Sequence, residues 1–204
     1  MALECTAADG AAVDWQEEAD ALAERVAAGD EQAYAQFVER FMPAVYGFLC
    51  RLLNSSEDAE DLTQDTFFEV YSRRQQIDAK KNLKAYLFTI ARRKAISHYR
   101  WRNVRRVLSP LTEVTENQAK DEGESPRDWA DANREQDLLR KAMEGLSTDK
   151  RTVLILRFME ELDYESIAAV MKKPLGTVKS LAFRAEQELR ERMQRRMGQA
   201  EVTP

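Results

Sequence analysis

Asp61, Gln64, Asp65 and Phe68 recur at three- and four-residue spacing in an otherwise polar stretch, and no bond-making chemistry follows from that set. Two carboxylates, an amide and a ring on one side of a helix make a binding surface. The ring is an apolar anchor and the oxygens around it suit a basic partner helix. A second set, Tyr86, Arg92, Arg93, Ile96, Tyr99, Arg100 and Trp101, joins cations to flat rings. Guanidinium groups neutralise phosphates, and aromatic faces stack on unpaired bases at about 1–3 kcal/mol per base. That combination suits a single strand, or a duplex being opened, better than an intact groove. A third set, Thr177, Lys179, Ser180, Phe183, Arg184 and Gln187, carries the side chains that reach base edges or backbone from a helix in the major groove.

Each set also has a plainer reading. Asp61, Gln64 and Asp65 describe an ordinary acidic surface with Phe68 as a stray aromatic. Tyr86, Phe88 and Trp101 can pack in a core, and a generic helical hairpin can mimic the third set. Bond chemistry is poorly supported. One histidine, His98, gives no metal or catalytic cluster, and it falls toward the core side of its helix. Cys5 and Cys50 are isolated, which gives neither a disulfide framework nor a zinc site. Asp58, Asp61 and Asp65 can be imagined on a metal, but no Gly-rich phosphate loop or second carboxylate motif accompanies them. No catalytic residue, metal or cofactor is expected.

The elements that must position these sets are helical. Seven Gly and five Pro in 204 residues are too few for the turns of an all-β fold. Residues 1–14 read as a disordered lead, and a helix is expected over Trp15–Ala28, ending at Gly29. Asp30 caps the next helix, whose apolar positions run through Ala33, Phe37, Phe41, Val45, Phe48, Leu49 and Leu52, with Pro43 expected to kink or split it. Ser55 or Ser56 caps a helix over Asp58–Arg74. On a wheel at 100° per residue, Ala59, Leu62, Thr63, Thr66, Phe67 and Val70 form its core stripe, opposite the first binding set. Gln75–Asn82 reads as a polar loop. A basic helix over Leu83–Val104 follows, with Leu83, Leu87, Ile90 and Ala91 inward. Helices are expected at Glu135–Glu144, Thr148–Met159, Asp163–Met171 and Leu175–Arg196. In the last pair Ile167, Ala168 and Met171 face Val178, Leu181, Ala182, Ala185 and Leu189 across a Lys172-Lys173-Pro174 turn.

Charge is segregated along the chain. The net charge is −5, yet Ala79–Thr112 holds ten bases and no acid, while residues 1–39 hold ten acids and one base. Glu113–Asp137 reverses the sign again, with nine acids and three bases. Charges farther apart than a Debye length of about 8 Å are largely screened, so the basic block can meet phosphate within an acidic protein. No apolar run approaches the ~18 residues of a membrane span, no signal peptide is visible, and the cysteine usage suits a reducing cytosol. A cytoplasmic location without membrane insertion is expected.

Three longer motifs carry a resemblance: AEDLTQDTF at Ala59–Phe67, AYLFTIARRKAISHYR at Ala85–Arg100, and GTVKS at Gly176–Ser180 followed by Arg184-Ala185. In that order, around a linker, they resemble the bacterial RNA polymerase sigma factors of the extracytoplasmic-function type within the sigma-70 family. The resemblance implies two small all-α domains on a flexible acidic linker. These are an acidic extension (1–30), a region-2 domain (31–106), a linker (107–132), a region-4 helix-turn-helix domain (133–197) and a tail (198–204). It implies core RNA polymerase as partner, through its β′ clamp helices and its β flap, with Asp61, Gln64, Asp65 and Phe68 toward the clamp. It implies promoter DNA as the second partner. The second residue set would meet the minus-ten element and help melt it, and the third would meet the minus-thirty-five element. An anti-sigma factor is a further implied partner. The chain departs from the family where Arg93 replaces a frequent Asn, Ser97 a frequent carboxylate and Tyr86 a frequent Trp. In the helix-turn-helix Ser166 stands for a usual Glu, Lys172 for the usual turn Gly and Leu181 for a common basic residue. A stand-alone helix-turn-helix regulator is the competing reading, and it leaves Asp61, Gln64, Asp65 and Phe68 without a role. The acidic linker is expected either to occupy the path of nascent RNA or to serve as a solvated tether.

Overall fold

Short polar residues start the helices. Asp30 accepts from the Ala33 amide at 3.0 Å, Ser55 from Asp58 at 3.2 Å and Asp163 from Ser166 at 2.6 Å, each satisfying a donor the helix itself leaves unpaired. The computed structural model describes residues 15–77, 82–108 and 134–200. Expectations for the lead, for residues 78–81 of the polar loop, for the linker at 109–133 and for the tail beyond 200 lie outside those residues.

The described residues form helices α1 (Trp15–Ala27), α2 (Glu31–Leu53), α3 (Ser56–Ser72), α4 (Leu83–Leu108), α5 (Arg134–Glu144), α6 (Thr148–Leu154), α7 (Tyr164–Met171) and α8 (Leu175–Ala200). A π-helical turn, Ile155–Met159, extends α6. Gly29 stops α1 at φ +90°, a conformation open to glycine.

Four expectations need correction. Pro43 neither splits nor ends α2, which runs unbroken from Glu31 to Leu53. The ring lies on an exposed side of the helix, where the carbonyl it leaves without an amide can take water. Part of the expected loop is a 3-10 turn, Arg74–Gln76. The basic helix continues past Val104 to Leu108, and α8 continues past Arg196 to Ala200.

Helices α1–α4 close around Phe37, Phe48, Leu49, Leu52, Phe67, Val70, Leu87 and Phe88. Phe48 meets Phe88 edge-on at 5.2 Å, and Phe37 meets Phe67 in the same way at 5.8 Å. Helices α5–α8 close around Leu146, Val153, Ile155, Leu156, Ile167, Val170, Val178, Ala182 and Ala185. These two units do not stand apart. Their buried side chains form one continuous cluster, with α4 against α7 and α2 against α6.

Candidate protein and nucleic-acid interfaces

The core stripe of α3 is buried as the wheel requires at Ala59, Thr63, Thr66, Phe67 and Val70, with Leu62 half-buried. Because that side is committed, Asp61, Gln64, Asp65 and Phe68 must face outward, and all four are exposed. Phe68 leaves 72% of its surface in water. Together with Asp58, Leu62 and His98, the three polar members line one shallow depression. His98 Nε2 lies 3.2 Å from the Asp58 carboxylate, which Arg102 also meets at 3.0 Å. Lys94 reaches Asp65 at 3.5 Å and Glu69 at 3.6 Å. Arg93 is ion-paired with Glu69 as well. Burial pushes the Glu69 carboxyl up, but the hydrogen bond from Arg93 and the charges of Arg93, Arg73 and Lys94 outweigh it and hold it below the usual range. The outer face of α3 thus presents Asp61, Gln64 and Asp65 on the same exposed side as the Phe68 ring, while Asp58, Asp65 and Glu69 are met by cations of α4.

On α4 the second set divides. Phe88 is fully buried against Phe48, so the packing reading holds for that ring. Tyr86 and Ile96 are half-buried. Arg93 and Arg100 are exposed, and Trp101 is 56% exposed beside the His98 ring. Arg92 and Tyr99 turn elsewhere. Only 12% of the Arg92 side chain is exposed, and its Nη2 meets Asp149 of α6 at 2.7 Å. The Tyr99 hydroxyl donates to the Leu52 carbonyl at the end of α2. Sequence reasoning placed both on the nucleic-acid side, and neither is free there in this structure.

The helix-turn-helix is α7, a turn at Lys172–Pro174, and α8. Val178, Ala182 and Ala185 are buried, while Thr177, Lys179, Ser180, Phe183, Arg184 and Gln187 are all exposed. Phe183 is 63% exposed. Ser180 Oγ donates to the Thr177 carbonyl at 3.0 Å, and Arg184 folds back onto the Ser180 carbonyl at 3.2 Å. A Cβ at Gly176 would meet only open space, so the start of α8 is clear for a backbone to approach.

Two features were missed. An apolar groove of about 490 Å³ runs between α5, the π turn and α8, lined by Leu139, Met143, Phe158, Met159, Met193 and Met197 among others. The four-residue spacing of Leu139 with Met143 and of Met193 with Met197 was its available signal. The second is the contact between the units, where Asp149, Arg151 and Glu160 add polar contacts to the apolar packing of α4 on α7 and of α2 on α6. No spacing rule identifies those residues.

Among the described residues no group of His, Cys, Asp and Glu could hold a metal ion, and no helix is long and apolar enough to cross a membrane.

Comparison with known proteins joins the two units to one kind of protein. Residues 37–105 match the model of Sigma-70 region 2, and residues 136–189 match that of Sigma-70, region 4. The chain is 30% identical over 187 residues to the RNA polymerase sigma-H factor of Pseudomonas aeruginosa, covering 88% of this chain and 95% of that one. It is 31% identical over 182 residues to the ECF RNA polymerase sigma-E factor of Haemophilus influenzae, covering 85% and 94%. Among solved structures, it is similar to a sigma factor RpoE in complex with the anti-sigma factor NepR from Bartonella quintana, with a TM-score of 0.65 and 29% identity over 79% of this chain and 96% of that one.

Proposed function

Because the chain belongs to the extracytoplasmic-function group of sigma-70 family RNA polymerase sigma factors, we propose an assignment of its surfaces to the steps of promoter-specific initiation. As a sigma factor it binds core RNA polymerase and directs the enzyme to promoters, and it makes and breaks no bond itself. Binding free energy does the work of opening the duplex.

In this assignment the outer face of α3 docks on the clamp helices of the β′ subunit, with Phe68 as anchor and Asp61, Gln64 and Asp65 around it. The observation that carries it is the exposure of Phe68 on a helix whose opposite side is already satisfied by core. A large ring held in water within a carboxylate rim has no stabilising role in the isolated chain. The apolar groove over α5 and α8 takes an amphipathic helix from the β flap. Methionines suit such a site because they repack against an incoming helix. Residues 31–106 meet the minus-ten element through Arg93, Arg100 and Trp101, joined by Tyr86, Arg92, Ile96 and Tyr99 once these are accessible. Residues 133–197 meet the minus-thirty-five element through the exposed face of α8. The relative bound to an anti-sigma factor supports a similar partner for this chain.

In vitro transcription with sigma-free core polymerase, followed by start-site mapping, tests the whole assignment. Asp61→Arg tests the docking face. It is expected to weaken holoenzyme assembly at least tenfold by placing a cation against a basic partner, a change of about 1.4 kcal/mol or more. Unchanged core affinity would remove α3 from the interface. Competition with another sigma factor for core separates this reading from a stand-alone regulator, which would not compete.

A further inference from the structure

Glu69 keeps only 16% of its side chain in water and draws three cations. Arg93 and Lys94 of α4 meet it, the latter at 3.6 Å, and Arg73 at the end of α3 meets it at 3.3 Å. The arginine half of the Glu69–Arg93 pair is the open one, with 49% of that side chain exposed. Arg93 donates to Glu69 through Nη2, and among the described residues its guanidinium has no other acceptor. Tyr86, half-buried on α4, has its hydroxyl in the field of Arg73, Glu69 and Arg93.

Stability does not account for this pair, because an ion pair with one exposed member contributes little. Phosphate neutralisation does not account for it either, since a carboxylate beside the guanidinium repels the phosphate that the arginine attracts. What a carboxylate does well is fix the plane of a guanidinium. An arginine whose fork is already oriented loses less rotamer freedom when it meets a ligand. The group has two edges with a pair of parallel N–H donors on each, so one edge stays available while Glu69 holds the other.

We propose that Glu69 is a positioning residue that aims Arg93 at one base of the opened strand and selects guanine or cytosine there over adenine and thymine. The inference rests on the minus-ten role given to Arg93 above. A two-donor edge needs two adjacent acceptors. Guanine offers O6 beside N7, and an unpaired cytosine offers N3 beside O2. Adenine places its amino group next to both N7 and N1, and thymine places N3–H between its two oxygens, so the second donor of the fork is left unpaired or meets another donor. Tyr86 adds a ring near the pair on which an unpaired base can stack.

The test uses holoenzyme assembled from the full chain and core polymerase. Templates randomised across the minus-ten segment, each with a barcode in the transcribed part, are transcribed together and the RNA is sequenced. For wild type, one non-template position is expected to favour guanine or cytosine about tenfold over adenine and thymine, and the library itself shows which of the two is read. Arg93→Ala should abolish the preference at that position and leave those at other positions, which serve as the control for folding and core binding. Arg93→Lys keeps the charge without the fork and should lose the same preference while total output stays near wild type. Glu69→Gln should lower it to about threefold, because an amide holds a guanidinium less firmly than a carboxylate does. A preference that survives in Arg93→Lys, or an Arg93→Ala loss spread evenly over all bases, makes Arg93 a phosphate contact and overturns the reading role. A Glu69→Gln profile equal to wild type overturns the positioning role. Wild-type holoenzyme that initiates at defined sites with no such position overturns the inference alone, whereas a chain that confers no start-site selection at all removes the parent reading.

Discussion

Arg184 rests on its own helix. Its Nε donates to the Ser180 carbonyl at 3.2 Å and its Nη2 lies 3.4 Å from the Ser180 hydroxyl, both long, exposed contacts to uncharged acceptors. Water or a base edge can replace them at little cost, so the side chain is available for readout. Arg184→Ala is expected to cost about 1–3 kcal/mol on a matched minus-thirty-five duplex and far less on a scrambled one, measured by anisotropy. Equal loss on both duplexes would mark a phosphate contact. Glu160 presents the opposite situation, a carboxylate sealed inside the fold. Burial pushes its carboxyl above the ordinary glutamate value of 4.5, and the charge and hydrogen bond of Lys84 and the charge of Arg51 only partly offset that. The folded chain therefore holds this proton longer than the unfolded chain. The group's favourable contribution is complete below 4.5 and is lost as pH rises through the raised value. Glu160→Gln removes that loss while Lys84 keeps its 2.6 Å bond to the backbone carbonyl. Melting temperatures of the variant should equal or exceed wild type near neutrality, with the gap closing toward about pH 4. A variant several degrees less stable at neutral pH would mean that the pair with Lys84 outweighs desolvation. Asp149 has the reverse sign. Burial raises it, hydrogen bonds and charge from Lys173 and Arg92 bring it below 3.8, and its contribution fades only as pH falls through that lower value.

The turn between α7 and α8 depends on one backbone conformation. Lys172 sits at φ 52°, ψ 47°, in the left-handed region, and the Lys172 and Lys173 amides close the helix onto Ala169 and Ala168. The family resemblance marked this position as a departure from a usual glycine, and the geometry supplies the reason for the glycine. A side chain there carries about 1 kcal/mol of strain, so Lys172→Gly is expected to raise stability by roughly that amount in urea unfolding. No gain would mean that glycine's added freedom in the unfolded chain cancels the relief. Helix starts such as Asp30, Ser55 and Asp163 were legible in the sequence because capping is local chemistry, complete within three residues. The α3 stripe was legible because one side of that helix is wholly core. Of the kink or split expected at Pro43, the split did not occur, because the carbonyl the ring leaves unpaired can take water on an exposed side, which sequence alone does not state. The π turn at Ile155–Met159 was invisible, since no Gly or Pro marks it; Ile155 and Leu156 are buried in it, while Phe158 and Met159 are turned out to the groove.

At the scale of the whole molecule, sequence described two units and a tether, and the contact between the units escaped it. Arg151 has the composition of a surface base, and only tertiary structure reveals that two helix ends supply its partners. Asp149 likewise lies in the first turn of α6, and nothing in its local sequence points to Arg92 as its partner. Segregated charge, by contrast, was open to counting, and it leads to the last prediction. The acids from Glu113 to Asp131 lie in the stretch of chain between the two units. A segment bearing the sign of nucleic acid is repelled by DNA and drawn to basic channels that RNA would later use. In the assembled polymerase it should therefore lie in the path of the nascent transcript and be displaced by it. Changing Glu113, Glu116, Asp121, Glu122 and Glu124 to their amides keeps length and polarity while removing the charge. The ratio of abortive to full-length transcripts at a fixed promoter is then expected to change, with core affinity held constant as the control. If that ratio stays at the wild-type value, the acids serve only to keep a tether solvated, and any linker of equal length would do.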